Sequence, residues 1–215
     1  RRWLEHVRFA VEEASRTGMR VCLYDEGMYP SGSAHGRVVA SNPAYAAQGL
    51  VVRTEDLAGP AEVRAAVPPP SRFVATVVAR RAEKARLALD AAQVLRRQGE
   101  TVRVPEGNWR VMHFAAEPSR GHIRGVHFGE DDGQPSAPLA ADLLNFDAMR
   151  AFLHFGYDPY HAALQDHFGT TVVAMFTDEP SYLGRGARKG MLPWTDGLAE
   201  DFQKRRGYDL APHLP

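Results

Sequence analysis

The chain has 215 residues, 44% of them apolar, and its 26 Lys and Arg balance 26 Asp and Glu. That zero formal charge leaves no global field for nucleic acid or an anionic membrane. No run approaches the roughly 18 uninterrupted apolar residues of a membrane span. The length suffices for one sizeable core, or one core carrying a small second unit. The single cysteine, Cys22, excludes an intrachain disulfide; lying in an apolar run, it is expected to be a buried, inert thiol. The chain opens at Arg1-Arg2-Trp3 in a helical pattern without an initiator methionine, so a piece of a longer parent chain with further domains is expected.

Trp3, Val7, Ala10, Val11 and Ala14 recur at helical spacing, with Glu5, Arg8, Glu12 and Glu13 on other faces. This predicts a helix over 2–17, ended by Gly18. The nearly continuous apolar run 19–24 reads as a strand covered on both faces, closing on Asp25-Glu26. Residues 27–36, rich in small side chains and carrying Pro30, form a shaped loop. The runs 48–53, 72–79, 85–90, 101–104, 108–116 and 122–128 are rich in strand formers. Pro68-Pro69-Pro70, Gln98-Gly99-Glu100 and Pro105-Glu106-Gly107-Asn108 punctuate them. Leu139 to Asn145 then reads as a framework strand, after which Asn145 can cap a helix with Asp147 in its first turn. Met149, Phe152, Leu153, Gly156, Tyr160, Leu164 and Phe168 give that helix one apolar face up to Gly169, and Pro159 should kink or divide it. The strand 171–176 closes on Asp178-Glu179-Pro180. A last helix over 196–206 ends at Gly207.

Helix, glycine, short strand and acidic terminus therefore occur twice, as in the repeating unit of a parallel α/β sheet or barrel. The expected fold is α/β, a partial (β/α)8 TIM-barrel-like fold with an inserted antiparallel β-rich subdomain. The expected boundaries are 1–44 and 136–215 for the barrel-like domain and 45–135 for the insertion. Three framework strands cannot close a barrel by themselves.

In such folds chemistry sits at the carboxyl ends of strands, and the repeat places two carboxylate clusters on one rim. Consecutive strand residues point to opposite faces, so Asp178 and Glu179 are not one dyad. Glu179, last before Pro180 turns the chain, is the expected general acid, with Phe176 and Trp194 near enough to raise its pKa; a loop-bracing carboxylate is the alternative. Asp25 and Glu26 read either as sugar-hydroxyl ligands or as a hydrogen-bonded cap over Gly27 and Ser31. Tyr24, Tyr29 and Trp194 can offer flat apolar surface to a pyranose, and His35 sits in a loop too small and polar for a core histidine. His113, His122 and His127 lack a ligand spacing for zinc, and Asp131-Asp132-Gly133 reads as an ordinary turn before it reads as a calcium loop. The glycine spacing after residue 24 fits neither a phosphate loop nor a dinucleotide fold.

Tyr24-Asp25-Glu26-Gly27-Met28-Tyr29-Pro30-Ser31-Gly32 resembles a segment of glycoside hydrolase family 106, with Tyr29 in the place of that family's tryptophan. Asp142-Leu143-Leu144-Asn145, Phe176-Thr177-Asp178-Glu179-Pro180, Leu192-Pro193-Trp194-Thr195 and Gly207-Tyr208-Asp209-Leu210 resemble further segments in the same order. The resemblance implies a calcium-assisted, inverting exo-glycosidase acting on terminal α-L-rhamnose or a related deoxy-sugar. It also implies Glu179 as general acid, a base from a later strand, and a substrate mouth to which Asp25, Glu26, Tyr29, His35, Asn145, Asp178 and Trp194 contribute. No metal ligand is assigned. The expected partner is carbohydrate, with no nucleic acid and no membrane. A bacterial parent with a signal peptide would be periplasmic or secreted, and otherwise cytoplasmic. The chain alone is expected to hydrolyse little, and a non-catalytic carbohydrate-binding relative is the rival reading.

Overall fold

The computed structural model describes residues 2–82, 86–125 and 136–215; His127 and the Asp131-Asp132-Gly133 turn lie outside them. The contacts divide the chain into two units, residues 1–47 with 119–188 and residues 48–118 with 189–215.

The first unit is built on helix α1 (Arg2–Arg16) and two short strands, β1 (Val21–Tyr24) and β8 (Val172–Phe176). The strands pair in parallel, with Leu23 opposite Met175 and Tyr24 opposite Phe176. Both acid-tipped segments therefore leave the same end of one sheet. Val11, Leu23, Leu164 and Val172 form the core beneath it; each such side chain contributes about 1.5–3 kcal/mol through burial. The single long helix expected after Asn145 is divided into α3 (Phe146–Phe152), a π turn (Leu153–Tyr157) and α4 (Asp158–Leu164). Pro159 explains the division: it carries no N–H for the carbonyl of Phe155, so the regular ladder fails there. β2 (Met28–Tyr29) pairs with β7 (Arg124–Gly125), and α2 (Arg37–Ser41) follows the loop after β2.

The second unit is one sheet of five strands in the order β5-β4-β6-β3-β9, every pair antiparallel, curled into a half-barrel. Its strands are β3 (Gln48–Arg64), β4 (Arg72–Arg81), β5 (Leu87–Leu95), β6 (Thr101–Pro118) and β9 (Leu192–Trp194). Val77 packs with Leu50, Met112, Phe114 and Trp194, whereas neighbouring Val78 packs with Val63, Val104, Trp109 and Val111. Successive strand residues point to opposite faces, so apolar clusters cover both sides of β4. Helix α5 (Leu198–Arg206) supplies Leu198 to the first cluster. β6 runs straight through Pro105-Glu106-Gly107-Asn108, which the sequence suggested as a break. A bulge opposite Gly59 absorbs the irregularity; a Cβ at Gly59 would lie 2.0 Å from the Pro105 carbonyl oxygen, so only glycine fits.

These observations overturn the (β/α)8 expectation. The parallel sheet stops at two strands and the main sheet is antiparallel. Residues 139–145, expected as a framework strand, make only isolated bridges, Ala46 to Ala141 and His122 to Leu139. The physical cause is local: the Asp142 carboxylate accepts the Leu144 N–H at 2.9 Å, and this side-chain turn ends the extended run before it can add to a sheet. Cys22 also departs from expectation, being exposed. It lies on the face of β1 opposite Leu23, and that face lacks the cover a two-sided buried strand would have.

Candidate functional site

Immediately after β1 the chain places two carboxylates in quite different settings. Asp25, 3% exposed, accepts three hydroxyl donors: Ser31 on Oδ1 at 2.7 Å, and Thr177 and Tyr157 on Oδ2 at 2.7 and 3.0 Å. The donors come from the loop after β2, the end of β8 and the π turn. One buried carboxylate thus ties three segments, and hydrogen bonds to charged groups stabilise by about 1.5–3 kcal/mol each. Burial pushes the Tyr157 phenol up from its ordinary range; the bond to Thr177 opposes this and the bond to Asp25 reinforces it.

Glu26, 7% exposed, turns back into its own loop. Oε1 accepts the backbone N–H groups of Gly27 and His35 at 3.1 and 2.5 Å, and Oε2 those of Ser33 and Ala34 at 3.0 and 2.7 Å. Four donors fill the four lone-pair positions of a carboxylate. The loop achieves this through left-handed backbone at Ala34, His35 and Gly36 (φ 48°, 57° and 78°), which turns successive amides inward. Alanine and histidine adopt that conformation at a cost of about 1–3 kcal/mol each, which the charge-assisted bonds offset. Burial pushes the Glu26 carboxyl above its ordinary range, and the four amides oppose it.

Ser31 joins the two strand ends. Its N–H donates to the Asp178 carbonyl at 3.0 Å, and its Oγ accepts the Asp178 N–H at 2.9 Å. Asp178 Oδ2 in turn accepts the Tyr24 hydroxyl at 3.1 Å. Burial and then this bond push the Tyr24 phenol up to about 12. A phenol raised in the folded state adds stability below its ordinary value near 10, and loses it as pH rises through 12. Ultraviolet titration should accordingly show a late-ionising tyrosine that Tyr24→Phe removes; an unchanged profile in that variant would place the late step elsewhere.

Glu179 is exposed, in left-handed backbone (φ 38°), and its Oε2 accepts the hydroxyl of Tyr29. That bond, with burial, pushes the Tyr29 phenol up. The guanidinium groups of Arg124 and Arg185 lie 4.9 and 5.3 Å from the Tyr29 ring centroid, within cation–π range. Asp178 and Glu179 thus engage different tyrosines.

The residues singled out from sequence fall in several places. Glu179, Tyr29 and Asp178 sit together at the strand end. Asp25, Glu26 and His35 line a cavity. Asn145 caps α3, its Oδ1 accepting the N–H groups of Asp147 and Ala148 at 2.9 and 3.1 Å. Trp194 is packed in the core of the second unit with Leu50, Met112 and Phe114, so its ring is engaged in packing. Glu179 is exposed and held by Tyr29, without the partial burial expected of it. Tyr157 and Arg124 were not anticipated; Thr177 was legible only as part of the 176–180 motif, and Arg185 only as part of a basic patch with Arg188 and Lys189. Tyr157 carried a faint signal, its position two residues before the helix-dividing Pro159, and Arg124 carried none.

Asp25 and Glu26 do not suit calcium. Glu26 is met by four N–H donors and Asp25 by three O–H donors, so all or most of the lone-pair positions a hard cation would need at these two carboxylates are taken. Among the described residues no three His, Cys, Asp or Glu side chains converge on a common point.

Carboxylates, phenols and guanidinium groups gathered at one strand end can exchange hydrogen bonds with a polyhydroxylated ligand and transfer a proton to it. A family model described as alpha-L-rhamnosidase, glycoside hydrolase family 106, matches residues 73–215, and the chain belongs to that family. The matched residues include Asp178 and Glu179 but not the segment 24–36. No curated protein and no solved structure matches the chain.

Proposed function

We propose that this protein acts in hydrolysis of terminal α-L-rhamnosides, or of a related deoxy-sugar, by inverting acid–base chemistry with Glu179 as proton donor. The observation that carries the reading is the setting of Glu179 within the family-matched segment. It stands exposed after β8 with Oε2 held by Tyr29, while Oε1 makes no hydrogen bond among the described residues. Oε1 is thereby the oxygen from which a proton passes to the glycosidic oxygen. The C–O bond then breaks as water attacks the anomeric carbon from the opposite face, giving its proton to a second carboxylate about 6.5–9.5 Å from the first. Asp25 and Glu26 are engaged by hydroxyl and amide donors, and the proposal gives neither the part of that base.

The same saturation favours the rival reading, a carbohydrate-binding relative without hydrolysis. Proton NMR of the first product from an α-L-rhamnoside separates the two. The expected signal is β-L-rhamnose, appearing before mutarotation. Release of the α-anomer would overturn inversion, and no release by a chain that also supplies the second carboxylate would favour the binding relative.

A further inference from the structure

A cavity of about 360 Å³, lined by neither Glu179 nor Tyr29, lies in the first unit. Trp3, Asp25, His35, Arg37, Phe155 and Tyr160 are among its walls. Its construction follows from the divided helix. Pro159 leaves the Phe155 carbonyl without its helical donor, and Nη1 of Arg37 supplies one at 3.3 Å. The same guanidinium lies 4.6 Å from the Phe155 ring centroid. A cation is thereby fixed at the rim by a carbonyl and a ring. Among the described residues no carboxylate pairs with it.

We propose that this cavity is a binding position for a neutral, polyhydroxylated ligand the size of one sugar ring. Its polar groups are of both kinds. Arg37 and the Trp3 indole only donate, Tyr160 and His35 do either, and Asp25 Oδ1, with one donor on it, still accepts. An anion would confront Asp25 and Glu26, whereas a cation would confront Arg37. A hydroxyl both donates and accepts and so suits the whole set, while the indole, phenyl and phenol rings offer apolar surface to the C–H face of a sugar. The volume lies at the small end of ligand sites, roughly 300–1,000 Å³, which admits one ring and excludes an oligosaccharide or peptide. Because Glu179 does not line it, the position holds a sugar without cleaving it. The choice of a deoxy-sugar as first probe rests on the function proposed above; the preference for a neutral polyol does not.

Trp3 makes the cavity directly readable. It is 66% exposed, whereas Trp109 and Trp194 are each 6% exposed, so acrylamide quenching of tryptophan fluorescence reports chiefly on Trp3. L-Rhamnose and D-glucose serve as neutral probes, D-glucuronate as the anion and D-glucosamine as the cation. A neutral sugar is expected to protect Trp3 saturably, with both charged probes at least about tenfold weaker. Arg37→Ala, a change at an exposed side chain that leaves the core intact, should weaken protection by about tenfold or more. Glu179→Gln should leave it unaltered. Protection by D-glucose without L-rhamnose would sustain the cavity and sink the deoxy-sugar reading. Absence of protection by either neutral sugar, tighter binding of a charged probe, or indifference to Arg37→Ala would overturn the proposal.

Discussion

Replacing Glu179 by glutamine, in a chain that also supplies the second carboxylate, should lower turnover of α-L-rhamnosides with poor leaving groups by about 10²- to 10⁴-fold, the usual contribution of a positioned general acid. The amide is isosteric with the carboxyl group, so its oxygen can still accept the Tyr29 hydroxyl and the side chain should keep its place. What disappears is the proton for the departing oxygen. An aryl rhamnoside whose phenol leaves unaided should therefore lose far less, and the ratio of the two losses is the diagnostic. Because Glu179 is exposed, thermal stability should change by no more than about 0.5 kcal/mol. Equal losses on both substrates, or none on either, would remove Glu179 from the role.

Glu26→Ala should have the largest effect on stability, a loss of about 2–6 kcal/mol. Of the four amides that converge on this carboxylate, those of Ser33 and Ala34 make buried bonds, and each buried donor left unsatisfied costs about 1–3 kcal/mol. The left-handed conformations of Ala34 and His35 would lose their compensation at the same time. Glu26→Gln keeps one oxygen but turns an NH₂ group toward two donors, so it should recover only part of the loss. Urea midpoints give the magnitude, and hydrogen exchange at residues 33–35 locates it. A loss under about 1 kcal/mol with unchanged exchange would mean that the loop holds its shape without this carboxylate. A typical domain is stable by only about 5–15 kcal/mol, so the alanine variant approaches the threshold for folding.

Both predictions turn on what the tyrosines and the shaped loop do, and this is where sequence and structure part company. The two acid-tipped strands were legible because their cues are local: an apolar run, a glycine that ends the preceding helix, and a carboxylate pair at the close. Asn145 was legible as a cap for the same reason, since its partners lie two and three residues away. Pro159 announced the divided helix. Only coordinates, however, could show that Tyr157 and Thr177 reach Asp25, across 132 and 152 residues of chain, or that Tyr29 reaches Glu179 across 150.

By itself the sequence determined the two acid-tipped strands and the glycines before them, which carboxylates stand at their termini, and which family the motifs resemble. Tertiary structure decided the number and direction of strands in each sheet. Residues 139–145 had strand character but turned on Asp142, and β9 joined an antiparallel sheet whose other four strands precede residue 119. It decided as well which acid stays exposed and which is spent on backbone amides. Propensity, capping and turn chemistry act over a few residues and are written in the local sequence. Strand partners and the donors that saturate a carboxylate are chosen by packing between distant segments, which no local pattern encodes.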